Sequence, residues 1–250
     1  MKLKISLAFF VLYILSLLFT VPATLVTRII PENTGIEIGH VTGTVWNAKL
    51  SEVNYQNQFQ LKTLTWDFDW SALLALQLKA DVKFNNGRNQ LNGTGSAIYS
   101  ASGLAVDDLK VNMQATELLP YLALPVPVTP SGKFTLVIEH ASQGAPYCNE
   151  LDGYLVWQGA NVETPMGNID LASPNVDLSC KEGGVVASLK QQSEQLTTNA
   201  EVKLSEGGRY QLKGDIKGTD QLDPTILQAL SWIGPKTKTG ATLLSFKGRL

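Results

Sequence analysis

The sequence predicts a mainly β protein: a single N-terminal transmembrane helix followed by a largely antiparallel β body of two similar tandem halves with a few short helices. Three observations carry this prediction. Residues 5–27 are free of charge. Apolar and polar residues then alternate with period two through much of the chain. Several short phrases also recur in the same order, about 103 to 111 residues apart.

Lys2, Lys4 and Arg28 are the only charges among residues 1–28. The 23 residues from Ile5 to Thr27 would make roughly 34 Å of helix, against a hydrocarbon core of about 30 Å. With Lys2, Lys4 and the amino terminus on one side, the positive-inside rule leaves residues 1–4 in the cytoplasm and sends the body across the membrane. Pro22 lies near the end of the span, where a proline is tolerated. The rival reading is a signal peptide cleaved after Ala23, since Val21-Pro22-Ala23 has small residues at a suitable spacing. Apolar residues continue past that point through Leu25 and Val26 to Ile29-Ile30, which favours an uncleaved anchor. Both readings export the body.

Export gives Cys148 and Cys180 a meaning. They are the only cysteines, and an even count in an oxidising compartment reads as a disulfide rather than two unrelated buried thiols. Their spacing, without further ligands, excludes a CxxC redox motif or a zinc site.

In the body, "LKADVKF" places Leu78, Ala80, Val82 and Phe84 on one face and Lys79, Asp81 and Lys83 on the other. "LKVNMQA" (Leu109 to Ala115), "AEVKL" (Ala200 to Leu204) and "YQLKGDI" (Tyr210 to Ile216) repeat the pattern. Such alternation marks antiparallel strands with one dry and one wet face. Turn signals separate them at Asn85-Asn86-Gly87, Ser102-Gly103, Glu182-Gly183-Gly184 and Glu206-Gly207-Gly208. Asp69 to Leu78 is ambiguous between a helix and a strand approach. Thr116 to Leu124 and Leu222 to Ile233 read as helices, the second with Asp223 as N-cap, Pro224 at its first position and Gly234 as terminator.

The ordered echoes suggest a tandem repeat. "KVNMQATELLPYLAL" (Lys110 to Leu124) parallels "KGDIKGTDQLDPTILQAL" (Lys213 to Leu230), and Gly132-Lys133-Phe134 parallels Gly240-Ala241-Thr242. "GTGSAIYS" (Gly93 to Ser100) faces "TNAEVKLS" (Thr198 to Ser205), and Gly43…Trp46 faces Gly153…Trp157. Pro125, Pro127 and Pro130 mark the seam, dividing the body into residues 28–130 and 131–250.

Chemistry is harder to find. Of 20 basic and 22 acidic residues, the body keeps 17 basic and 22 acidic, a net of −5 without a basic cluster, which argues against nucleic-acid binding. His40 and His140 border strands and read as turn or surface residues. There is no Gly-x-Ser-x-Gly elbow, His-Glu-x-x-His, Walker loop or Rossmann fingerprint. Asp107-Asp108 and Asp67…Asp69 read as exposed turn residues. Trp66, Trp70 and Trp232 read as packing residues. The residues therefore give no catalytic, cofactor-binding or metal site. What remains is a one-faced sheet whose apolar side closes as a sandwich, opens as an acyl-chain trough, or docks on protein.

The basic start, the single span, "I-G-x-V-x-G-T-V-W-x-A" (Ile38 to Ala48), "L-x-W-x-x-x-x-S-A-L-L" (Leu64 to Leu74) and "S-G-L-A-V-D-D-L" (Ser102 to Leu109) together resemble protein N of the bacterial type II (general) secretion system. The resemblance covers essentially the whole chain. It implies a Gram-negative inner-membrane protein with a periplasmic body. Its role would be as an accessory to the export of folded exoproteins across the outer membrane, with other secretion components as partners. No catalytic residues are carried over. The alternative, on a fold-level likeness to AsmA-like proteins, is a membrane-anchored lipid-handling protein whose apolar β trough takes phospholipid.

Overall fold

The period-two segments form strands, and every strand pairing within each unit is antiparallel. The protein is described by a computed structural model over residues 2–25, 35–55, 59–87, 90–121 and 127–249. It divides into two compact units, Met1–Arg88 and Asn89–Leu250. That division lies upstream of the proline-rich stretch expected to be the seam, of which residues 122–126 fall outside the described residues.

The first unit opens with helix α1 (Lys2–Phe19), followed by β1 (Ile36–Gly43), β2 (Asn47–Tyr55), β3 (Phe59–Asp69), a 3-10 helix (Trp70–Ala75) and β4 (Leu78–Asn85). The four strands pair in sequence order. Register aligns Ala48, Trp66 and Val82 across three strands, and Leu50, Leu64 and Phe84 beside them. Ala48 and Leu50 are buried, whereas Val82 and Phe84 are only half-buried. The other face carries Lys49, Thr65 and Lys83 in one row and Asn47, Asp67 and Asp81 in another. Side chains opposite one another on one face are the units that stabilise such a sheet.

The N-terminal helix is shorter than the expected 5–27. It ends at Phe19, and the Thr20 hydroxyl closes the last turn on the Ser16 carbonyl at 2.9 Å. Pro22 cannot continue the helical ladder and bridges to Thr44 instead. Ala23, the candidate cleavage residue, is fully buried and donates its N–H to the Gly43 carbonyl. Residues 26 and 27 lie outside the described residues. Among the described residues no helix is long and apolar enough to cross a membrane.

The second unit holds β5 (Asn92–Ser100), β6 (Gly103–Gln114), a 3-10 helix (Ala115–Tyr121), β7 (Thr129–Gln143), β8 (Cys148–Thr164), β9 (Gly167–Ala172), β10 (Asn175–Lys181), β11 (Gly184–Gln192), β12 (Leu196–Ser205), β13 (Arg209–Gly218), helix α2 (Pro224–Ile233) and β14 (Thr242–Arg249). Strand β8 has 17 residues and is shared: Asp152 to Val156 pair with β10, and Ala160 to Thr164 pair with β9. The turn between β10 and β11 places Glu182 at φ 54° and Gly183 at φ 75°, a twist that suits a two-residue hairpin and that glycine adopts without strain. A Cβ on Gly183 would also run into the Ala145 carbonyl.

Helix α2 supplies the main buried cluster. Ile226 and Leu230 from the helix meet Leu222 and Leu196, with Ile169, Leu171, Ile216 and Leu227 around them. The caps are those read from the sequence: the Asp223 carboxylate accepts the Thr225 N–H at 2.7 Å, Pro224 opens the helix and Gly234 ends it. Replacing Asp223 with Ala is expected to lower the unfolding free energy by about 1 kcal/mol, read from a urea titration of the full chain.

The other expected helices come out as 3-10 turns: the 69–78 segment at Trp70–Ala75, and the 116–124 segment at Ala115–Tyr121, with residues 122–124 outside the described residues. Among the echoes, β5–β6–short helix–β7 and β12–β13–α2–β14 follow the same order of elements. The Gly43…Trp46 and Gly153…Trp157 pair does not match, because Trp46 lies in the β1–β2 turn while Trp157 lies inside β8.

Candidate functional site

Within the first unit, the end of α1 is built into the sheet. The β1–β2 turn at Thr44 to Trp46 gives its Val45 N–H to the Val21 carbonyl at 3.0 Å. The last carbonyls of a helix have no partner inside it. One of them, on Leu18, accepts the Trp46 indole N–H at 2.8 Å. Trp46 is itself held from behind, since its carbonyl accepts the Phe68 N–H and the neighbouring Val45 carbonyl accepts the Trp66 indole.

Four rings close around this junction. Trp46 meets Trp70 at a centroid distance of 4.6 Å and Phe68 at 5.1 Å. Trp70 meets Phe68 at 5.0 Å and reaches Phe19, the last residue of α1, at 4.8 Å. Tilted and edge-to-face pairs at these distances add roughly 0.5–1.5 kcal/mol each beyond the area they bury. The helix thus meets the sheet through a knot of aromatics and hydrogen bonds.

The 3-10 helix beside it is positioned by Asp69, whose carboxylate accepts both the Ser71 N–H at 2.9 Å and the Ser71 hydroxyl at 2.6 Å. The Ser71 hydroxyl first, then its N–H and the charge of Lys79, hold the Asp69 carboxyl below its ordinary value. A group depressed in this way contributes stability above its unfolded pKa and loses it as pH falls through the folded one. An NMR titration should therefore place the Asp69 midpoint below 3.8, and Ser71→Ala should move it back toward that value.

The two histidines occupy different units. His40 is exposed on β1. His140 on β7 is not an isolated surface residue: Nδ1 lies 2.6 Å from Asp107 and Nε2 lies 3.3 Å from Glu150. Asp107 therefore pairs with an imidazole, Asp69 caps a 3-10 helix, and Asp67 faces Asp81 across the β3–β4 ladder. Among the described residues, no group of three or more His, Cys, Asp and Glu is arranged to hold a metal ion. Trp232 is 80% exposed, so it is not the packing residue read from the sequence. Trp157 stacks on Phe134 at 4.8 Å and donates to the Ser131 carbonyl.

Cys148 and Cys180 form the disulfide expected of an exported chain, with Cα atoms 6.1 Å apart. Beside it an open groove of about 310 Å³ is lined by Leu104, Val106, Ala141, Tyr147, Leu151 and Val185. Sequence reasoning missed the Asp107–His140–Glu150 contact and the clamp of Trp46 on α1. The first depends on strand register and the second on where the end of α1 meets the β1–β2 turn, and only the Gly-Thr-Val-Trp motif marked one of them beforehand.

The family model described as type II secretion system (T2SS), protein N, matches residues 34–245. The chain is similar to the type II secretion system protein N of Aeromonas hydrophila, 31% identical over 252 residues that cover 100% of this chain and 99% of the relative. It is also similar to that of Vibrio cholerae, 29% identical over 94% of this chain and 93% of the relative. A third relative, from Pectobacterium carotovorum, is 29% identical over 92% and 90%. No solved structure matches.

Proposed function

We propose a function from one premise: the chain belongs to the type II secretion system protein N family. On that premise it is an accessory component at the inner membrane, supporting export of folded exoproteins through contacts with other secretion components rather than through catalysis. The observation that carries this reading is the family match over residues 34–245, which takes in strands of both units.

Several features support the placement. Phe9, Phe10, Leu12, Tyr13 and Leu17 of α1 are all exposed and form an apolar surface. A helix apolar all round needs lipid or protein about it. The 18 residues of α1 make about 27 Å of helix, a few ångströms short of a bilayer core. Local thinning of the bilayer accommodates a deficit of that size. The disulfide suits a body in the periplasm. The relatives' names speak for secretion, so lipid handling through a trough is not the reading adopted.

The test is deletion of the gene in its native host, with secreted enzymes assayed in medium and periplasm. Exoproteins should accumulate folded in the periplasm. The full chain should restore export, and a chain lacking residues 1–28 should not. Unchanged secretion in the deletion strain would overturn the proposal.

A further inference from the structure

We propose that the 3-10 helix Trp70–Ala75 and the turn through Leu76 form a membrane-dipping tip, seated in the periplasmic leaflet of the bilayer beside α1. The inference rests on the reading that α1 anchors the chain. It goes further by giving the folded body its own lipid contact and naming the side chains that make it.

The tip is apolar and turned outward. Leu74 is 92% exposed and Leu76 is 89% exposed, with Leu73, Leu78 and Trp70 partly exposed around them. Single exposed leucines are ordinary on a protein surface, but a contiguous group of this kind marks a contact face. No charge lies between Asp69 and Lys79, so the stretch carries no ion that insertion would have to desolvate.

The exposure is built in by the backbone. Leu76 sits at φ 56°, in the left-handed region that L side chains seldom adopt. It is held there by its N–H donating to the Leu73 carbonyl at 3.0 Å and by the Gln77 N–H donating to the Ala72 carbonyl at 3.1 Å. Asp69 caps the other end. A fixed turn that spends conformational energy to keep leucine outward is a feature needing a partner.

Continuity with α1 identifies the partner as lipid. Trp70, the first residue of the tip, lies against Phe19, the last residue of the helix, and the Trp46 indole grips Leu18. The tip therefore starts where α1 ends. With α1 in the bilayer, the tip lies at the level of the headgroups, flanked by Trp46 and Trp70 in the position that interfacial tryptophans favour. An α1 that falls short of the full hydrocarbon thickness draws that interface toward the sheet, which seats the leucines more deeply.

Fluorescence tests this on the full chain reconstituted in phosphatidylethanolamine–phosphatidylglycerol vesicles. Both native cysteines are in the disulfide, so Leu74→Cys or Leu76→Cys introduces the one reactive thiol. Each would carry an environment-sensitive fluorophore and be challenged with lipids spin-labelled along the acyl chain. Ile14→Cys reports on α1, and Tyr55→Cys, at the far end of β2, reports on water. We expect positions 14, 74 and 76 to shift to the blue and lose most of their emission to the quencher, with position 55 unaffected. If 14 is quenched while 74 and 76 behave like 55, the tip is not in lipid; the inference falls, the anchor stands, and the leucines are left for a protein partner. If 14, 74 and 76 all stay aqueous, both readings fall. If 74 and 76 are quenched without 14, the anchor reading falls, and with it the inference of a tip seated beside a membrane-embedded α1.

Discussion

Replacing Cys148 and Cys180 together with Ser lowers the unfolding free energy of the second unit by about 3–4 kcal/mol, and the urea midpoint falls by roughly 1–3 M. The bond closes a loop with a sequence separation of 32, so in the chain-entropy picture the loss arises mainly from a less constrained unfolded state. The folded state also has something to lose. Cys148 opens β8 and Cys180 lies one residue from the end of β10, so the bond ties two neighbouring strands at their ends. The Tyr147 N–H donates to the Gly183 carbonyl just beyond it, tying the β7–β8 turn to the β10–β11 turn. Adding reductant to the unaltered protein should reproduce the shift of the double variant, and should have no effect on the double variant itself. A midpoint that stays put on reduction would show that the strand pairings alone hold that edge.

Leu230→Ala should cost about 2–4 kcal/mol, whereas Trp232→Ala, two residues on in the same helix, should stay within about 0.5 kcal/mol. Leu230 is 8% exposed and packs into the cluster of Leu222, Ile226 and Leu196, whereas Trp232 is 80% exposed. Truncating Leu230 removes transfer free energy and leaves a void that its half-buried neighbours close only in part. Thermal or urea unfolding of the two variants side by side checks the contrast. Equal effects would mean that Trp232 is covered in the working protein, by lipid or by another chain.

Legibility in the sequence tracked the range of the interaction that decides each element. Strands such as β4, β12 and β13 announced themselves because a half-wet sheet forces alternation at every residue. Helix α2 was equally plain, since Asp223, Pro224 and Gly234 act within a turn of their own positions. The disulfide followed once the apolar start implied export. Trp70–Ala75 was ambiguous because six residues are too few to separate a helical from a strand pattern, and the shape depends on the Asp69 cap. The end of α1 was only half legible: Pro22 is a local break, but the apolar run continues to residue 27, and the bonding of Val21 and Ala23 to the end of β1 and the β1–β2 turn acts across the fold. The division after residue 88 hides behind Asn85-Asn86-Gly87, which resembles any other turn. The His140 contacts depend on the register of β6, β7 and β8, where bulges break simple counting.

The order of pairing bears on how the chain acquires its structure. In both units nearly every strand lies beside the one that precedes it in sequence, β9 being the one detour. Loop closure is therefore short at almost every step, and the entropy spent on each new strand is small. A polypeptide threaded out from its N-terminus can add one strand at a time to an edge already formed, without waiting for its C-terminus. Growth would pause at β8, whose first half pairs with β7 on one edge and keeps the other edge open until β10 emerges, and oxidation of Cys180 onto Cys148 would then lock that step before β11 to β14 follow.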